Sequence, residues 1–111
     1  MLDVNVYQKM ASRTIDKNLT NGQASLHALF GLASEVGELH DIFQKYYQGH
    51  KLNEEHMKKE CGDIMWMLAE FCTAHGWKLE EIMRMNIAKL EARYPNGFDP
   101  DKSLHRQAND I

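Results

Sequence analysis

The chain's two prolines, Pro95 and Pro100, both lie near its C-terminal end. Proline is the residue that most strongly breaks a helix, so everything before position 95 is free to be helical. Strand-like alternation of useful length is missing, and there are no repeats or low-complexity tracts. The expectation is an all-α fold.

The punctuation divides this stretch into four helices. A first helix is expected over residues 4 to about 17, followed by a turn at 18–23 that contains Thr20, Asn21 and Gly22. A second runs from about 24 to 47, with Leu29, Leu32, Ala33, Val36, Leu39 and Phe43 at the i, i+3, i+4 spacing of one apolar stripe. Residues 48–51 form a connection. Asn53 is placed to cap a third helix, with Glu54 and Glu55 favourable in its first turn. That helix continues to about 75 on a stripe of Met57, Cys61, Ile64, Met65, Leu68, Phe71 and Cys72, and Gly76 suits the residue just beyond its end. A fourth spans about 79 to 94, and a polar tail follows from about 95, extended or partly disordered. Four helices with short connections predict a four-helix-bundle-like protomer. The length of 111 residues is that of one domain, residues 1–111. A chain this short buries a modest core, and oligomerisation would complete the bundle.

Several functional classes are set aside by composition. The net charge is −3, from 13 basic and 16 acidic residues, without a basic run of the kind that tracks nucleic acid. The longest strongly apolar run, residues 64–69, is far too short to cross a bilayer. The opening Met1-Leu2-Asp3-Val4 lacks the basic and apolar regions of a signal peptide, and a cytoplasmic protein is expected. Cys61 and Cys72 share the third helix, roughly 16 Å apart along its axis, too far for a disulfide. They read as small reduced side chains.

Two acidic pairs carry the chemistry. Glu35-Val36-Gly37-Glu38 and Glu60-Cys61-Gly62-Asp63 share the form acid, apolar, glycine, acid. Residues three apart lie on one helix face, so each pair could offer two carboxylates to one metal. Measured from the apolar stripe at roughly 100° per residue, Glu35 lies about 90° and Glu38 about 150° to one side. On the next helix Glu60 lies about 80° and Asp63 about 140° off, with the same hand. If the two helices pack antiparallel, equal offsets of one hand fall on one side of the pair. The midpoint of the two motifs is Gly49, inside the expected connection, so a hairpin folded there brings them to one level. Four converging carboxylates repel unless cations sit among them. Oxygen donors of this kind suit Mg²⁺ or Mn²⁺ rather than Zn²⁺. Gly37 and Gly62 each cost about 1 kcal/mol relative to alanine inside a helix, which fits a close approach of backbones or of a substrate. Glu70, seven residues after Asp63 and near its face, could be a further acid behind the metal ligands but reads more readily as a solvated one.

On the fourth helix Asn86, Lys89 and Arg93 share a face, and such donors suit the oxygens of a polyphosphate. Lys45 is a weaker candidate. Trp66, Trp77, Tyr46 and Tyr47 could stack on a base, although aromatics at helical spacing belong more often to the core. The six histidines show no metal-ligand spacing, and His27 and His40 read as structural or exposed.

Leu32-Ala33-Ser34-Glu35-Val36-Gly37-Glu38-Leu39, then Glu60-Cys61-Gly62-Asp63-Ile64-Met65-Trp66-Met67-Leu68, resembles the MazG-like nucleotide pyrophosphohydrolases of the all-α NTP pyrophosphatase superfamily. Asn86-Ile87-Ala88-Lys89-Leu90-Glu91-Ala92-Arg93-Tyr94-Pro95-Asn96-Gly97-Phe98 is also similar to its small single-domain members. The likeness spans residues 26 to 106. It implies hydrolysis of a nucleoside triphosphate to the monophosphate and pyrophosphate, Mg²⁺ on Glu35, Glu38, Glu60 and Asp63, and phosphate contacts from Lys89 and Arg93 with Asn86 alongside. A homodimer or homotetramer is implied as well. Glu38, with Glu35, is the expected catalytic carboxylate that orients or deprotonates water. Two other readings stand beside this one. A ferritin-like di-iron bundle would want a His where Asp63 stands. A helical interaction module would keep the fold without turnover.

Overall fold

The computed structural model describes all 111 residues, Met1–Ile111. It is all-α, with α1 Val4–Ser12, α2 Asn21–Tyr47, α3 Glu54–Ala74, α4 Leu79–Arg93 and a short α5 Pro100–Leu104. The chain divides into two compact units, Met1–Leu79 and Glu80–Ile111.

In the first unit α3 is the centre, packed on α2 along its length and on α1 at one end. The α2–α3 hairpin is antiparallel, as its cross-contacts show. Ser25 meets His75, His27 meets Glu70, and Gly31 faces Met67, so residue numbers rise on one helix as they fall on the other. The reversal sits at Gly49, whose φ of 100° is open to glycine at little cost. The expected midpoint is therefore the actual one.

Local chemistry explains the helix ends. Thr20 and Gln23 form a reciprocal capping box, Gln23 N–H donating to Thr20 Oγ1 at 3.1 Å and Thr20 N–H to Gln23 Oε1 at 2.9 Å. It starts α2 at Asn21, three residues earlier than periodicity alone suggests. Asn53 caps α3 by accepting from His56 N–H at 3.0 Å, and Gly76, with a φ of 70°, follows its C-cap. The first helix stops at Ser12 rather than near residue 17. The cause is tertiary. Trp66 Nε1–H donates to the Ala11 carbonyl at 3.3 Å and to Thr14 Oγ1 at 2.8 Å, while the Thr14 hydroxyl donates to the same carbonyl at 2.9 Å. An acceptor that could have continued the helix is taken by α3.

Small side chains fill the centre of the unit. Ala11, Ala69, Cys72 and Leu79 are buried together, with Val4, Tyr7 and Trp66 packed against them, and Ala24 and Ala28 are buried on α2. At Gly31 a Cβ would collide with Met67 Sδ and Cε. Large stripe residues fare differently: Leu29, Phe43, Met65 and Leu68 stay exposed, although the sequence pattern assigns them to the core. Small residues fill much of the α2–α3 seam, with Ile42 and Glu70 also buried, while several bulky members of each stripe stay exposed. Gln8 ties α1 to the end of α3, its Nε2 donating to the Trp77 carbonyl at 2.8 Å and its Oε1 accepting from Leu79 N–H at 2.7 Å.

In the second unit α4 beyond Leu79 is exposed along most of its length. The tail expected to be extended or partly disordered instead folds. Asp99 caps α5 by accepting from Asp101 N–H at 3.0 Å, Pro100 occupies its first turn, and the chain returns to place Asp110 on Arg93.

Candidate metal centre

Because α2 and α3 run antiparallel about Gly49, their acidic motifs meet at one level. Oxygen atoms of Glu35, Glu60 and Asp63 lie within 4.8 Å of one another. The helical offsets also set their depth. Glu60, nearer its stripe, is buried and Glu35 is half-buried, whereas Asp63 and Glu38, farther round, are exposed. Glu38 stands outside the three-carboxylate group, on the same helix as Glu35 and close enough for its charge to act on it. Three of the four expected acids therefore converge.

The closeness of the group shows in the proton affinity of Glu35. Glu35 is pushed up to about 6. Hydrogen bonding with Glu60 is the largest cause, followed by burial and by the charges of Asp63, Glu60 and Glu38. Glu60 is held from behind by His56, with Nε2 2.9 Å from Oε1. Its other oxygen, Oε2, is buried and no donor reaches it. A buried carboxylate oxygen without a donor is costly, and a divalent cation among three carboxylates would satisfy it. The donor set is all oxygen, which fits Mg²⁺ or Mn²⁺.

His56 was not a sequence candidate, although its i, i+4 spacing to Glu60 carried the signal. Tyr7 of α1 was missed too. Its phenol is raised by burial and then by the charge of Asp63, which places the first helix beside the acids. Nothing in the spacing of the first helix foretold that.

Glu70 departs from its reading as a solvated acid. It is 1% exposed, and its Oε1 lies 2.7 Å from His27 Nδ1. His27 in turn meets the Trp66 ring edge-on, with centroids 6.5 Å apart. Glu70 faces the seam one turn and more beyond Asp63, where α2 covers it. Lys45 pairs with Asp41 at 2.8 Å, and His40 bonds the Val36 carbonyl at 2.7 Å. Gly37 and Gly62 differ from their expected role within this chain, since a Cβ at either meets nothing within 4 Å. Gly31 makes the close approach instead. Trp66 belongs to the core, and Trp77 stacks on His75 with centroids 4.5 Å apart. Tyr46 and Tyr47 pack edge to face on each other.

In the second unit Lys89 and Asn86 line one surface depression, and Arg93 is engaged by Asp110.

The antiparallel helical hairpin thus brings together three carboxylates that could hold a metal ion. The MazG nucleotide pyrophosphohydrolase domain matches residues 23–98, and the chain belongs to that family. The match contains both acidic motifs and the run from Asn86 to Phe98. No match was found among curated proteins or solved structures. Membership supports a nucleotide pyrophosphohydrolase type of activity, and enzymes of this family typically depend on a divalent metal. None of the helices is long and apolar enough to cross a membrane.

Proposed function

We propose that the protein hydrolyses a nucleoside triphosphate, NTP or dNTP, to the nucleoside monophosphate and pyrophosphate, with Mg²⁺ as its metal and Mn²⁺ able to replace it. The observation that carries this reading is the convergence of Glu35, Glu60 and Asp63 within 4.8 Å around a buried, donorless Glu60 oxygen. Glu35, Glu60 and Asp63 would hold the cation, with Glu38 at the solvent edge of the site as a further ligand. When bound, the cation supplies charge neutralisation for the triphosphate and lowers the proton affinity of water.

The side chains divide the remaining work. His56 holds Glu60 through its Oε1. The Glu38 carboxylate, exposed and outside the trio, orients water and accepts its proton as the oxygen attacks phosphorus. The bond between the α- and β-phosphates breaks and pyrophosphate leaves. Asn86, Lys89 and Arg93 are the donors for phosphate oxygens. The exposed Leu29, Phe30, Phe43 and Leu68 support a homodimer or homotetramer, in which a partner would cover them. A nucleotide-pool role would place the enzyme in the cytoplasm.

The test is pyrophosphate release from a panel of NTPs and dNTPs with Mg²⁺, compared with EDTA and with Glu60→Gln. Turnover that requires both the metal and Glu60 is expected. Metal-independent turnover, or turnover unchanged in Glu60→Gln, would overturn the reading. A folded, assembled protein without turnover on any of these substrates would favour an interaction module.

A further inference from the structure

Two helical turns from the three carboxylates, the hairpin carries a second polar pair that the hydrolytic reading leaves without a task. Glu70 on α3 is 1% exposed, and its Oε1 lies 2.7 Å from Nδ1 of His27 on α2. Its other oxygen is buried and no donor reaches it, so the imidazole is its one partner. The His27 side chain, by contrast, is 52% exposed, and its Nε2 bonds nothing in the chain. Trp66 meets the ring edge-on, with centroids 6.5 Å apart and planes at 87°. A buried acid behind a half-open histidine fixes the ring and aims its second nitrogen outward.

The buried side sets the tautomer. A carboxylate only accepts hydrogen bonds, so Nδ1 carries the ring proton and Nε2 offers a lone pair. Helical spacing sets the position. His27 and Glu38, 11 residues apart, lie within about 20° of each other on α2. Glu70 and Asp63, seven residues apart, lie within about 20° of each other on α3. The helices are antiparallel, so both rows fall on one side of the hairpin, and His27 shares the face of the acids roughly 10 to 12 Å along it. Leu29 and Phe43 each lie about 160° round α2 from His27, so a protomer docked on them leaves the ring open. A nucleotide with its α-phosphate at the acids spans that distance with its sugar and base. The edge of the base that carries its pairing groups then meets Nε2. Cytosine and adenine present an amino group there, which donates to a lone pair. Uracil and hypoxanthine present a carbonyl oxygen, which sets one lone pair against another.

We propose that His27 reads the nucleobase, its Nε2 accepting from the exocyclic amino group of cytosine or adenine and rejecting the carbonyl of uracil or hypoxanthine. His27 is the specificity-determining residue. Glu70 touches no substrate and is a positioning residue, which keeps the proton on Nδ1. That the ligand is a nucleotide rests on the hydrolytic reading above; the fixed tautomer of His27 does not.

The test is kcat/KM for CTP against UTP and for ATP against inosine triphosphate, two pairs in which a carbonyl replaces the amino group. The amino member should be favoured about tenfold or more in at least one pair. His27→Leu combined with Glu70→Leu removes both polar groups without stranding either, and should bring that ratio near to one. Glu70→Gln keeps a partner for Nδ1 but no longer fixes its proton, so the ratio should fall several-fold. A merely structural Glu70 would slow both substrates alike and leave the ratio in place, which would overturn its positioning role. Nitrogen NMR of the imidazole should show Nδ1 protonated and Nε2 bare. No preference for the amino member in either pair, a ratio unchanged in the double variant, or a proton on Nε2 would each overturn the proposal. Circular dichroism melts check that each variant folds. Calorimetric titration with CMP, UMP, AMP and IMP in Mg²⁺ separates this proposal from the hydrolytic one. Tighter binding of an amino monophosphate, lost in the double variant, leaves the base contact standing even where no triphosphate is turned over. Turnover that ignores the base does the reverse.

Discussion

The α2–α3 hairpin and the second unit solve opposite problems of charge. In the hairpin, carboxylates on two regular helices are brought to one level by register, and hydrogen bonding with Glu60, then burial and the neighbouring charges, raise Glu35. In the second unit, cations gather because the chain leaves α4 and returns, and one of them is neutralised by a carboxylate from the returning segment. Each unit can be perturbed without touching the other.

The largest effect should come from the acids. Glu60→Gln or Asp63→Asn should lower turnover by about 100-fold or more, since each removes a carboxylate from the proposed cation site. Tripolyphosphate binding in EDTA should stay as in the wild type. Glu38→Gln sharpens the division inside the hairpin. If Glu38 handles the proton, kcat should fall by about 10²-fold or more with little change in KM. A large rise in the Mg²⁺ requirement instead would make Glu38 a metal ligand of the same rank as the other three acids.

Two buried glutamates allow the next comparison. Glu60 and Glu70 each bury an oxygen that no donor reaches. Each has a histidine on its other oxygen, His56 on Glu60 and His27 on Glu70, but only Glu60 has two other acids beside it. Glu60 should therefore be stabilised by a cation and Glu70 by His27. His27→Ala removes the hydrogen-bond partner of the buried Glu70 and should cost about 2 kcal/mol, a loss of several degrees in Tm. Adding Glu70→Leu to His27→Ala should recover most of that loss. A Tm unchanged by His27→Ala would show that Glu70 is satisfied some other way.

These contrasts also mark what could be read in advance. The meeting of Glu35 with Glu60 and Asp63 follows from a 3.6-residue period and a hinge, both of which are local properties of the sequence. So does the depth order within each pair, because distance from the apolar stripe sets burial. Glu38 stands outside the trio although Asp63, exposed at nearly the same wheel angle, is in it, so the angle does not decide membership. The early end of α1 depended on Trp66 reaching across from α3, and the burial of Glu70 on α2 closing over it. The tail was the least legible. Its fold rests on the Asp99 cap and on a pairing between residues 93 and 110, and a long-range ion pair leaves no periodicity to read. The oversized core expected from the two stripes failed for a packing reason. Small residues let the helices approach closely, and one protomer has too few helices to cover the large side chains that remain.

The proton on Glu35 gives a smaller, signed effect. Its folded value of about 6 lies above the ordinary 4.5. Between these values the folded protein holds more protons than the unfolded chain, so stability falls as pH rises from 4.5 to 6 and is level above. The group is partly solvated, so the loss should be about 1 kcal/mol after screening. Thermal melts in EDTA across pH 4 to 8 measure it. With Mg²⁺ present the trend should reverse, because the cation competes with that proton and binds more tightly as it leaves. Equal slopes with and without Mg²⁺ would break the link between Glu35 and the cation. Variants of the second unit keep Glu35 and should show the same slope as the wild type.

The smallest effects concern the glycines, and they bear on whether the hairpin site is complete in one chain. Gly31 lies in the seam, where a methyl would displace the flexible end of Met67; Gly37 and Gly62 flank the acids and face open space. Helix propensity alone favours alanine over glycine by about 1 kcal/mol. Gly37→Ala and Gly62→Ala should therefore each raise the Tm by a few degrees, while Gly31→Ala gives back most of that gain through the Met67 contact. Turnover and size-exclusion profiles of the same variants then decide what the two open glycines are for. A raised Tm with turnover and assembly intact would leave Gly37 and Gly62 without a steric role. A raised Tm with lost turnover would mean that substrate approaches the helix backbones beside the acids. A raised Tm with lost assembly would mean that a second protomer does, and that the three carboxylates of one chain work only with a neighbour in place.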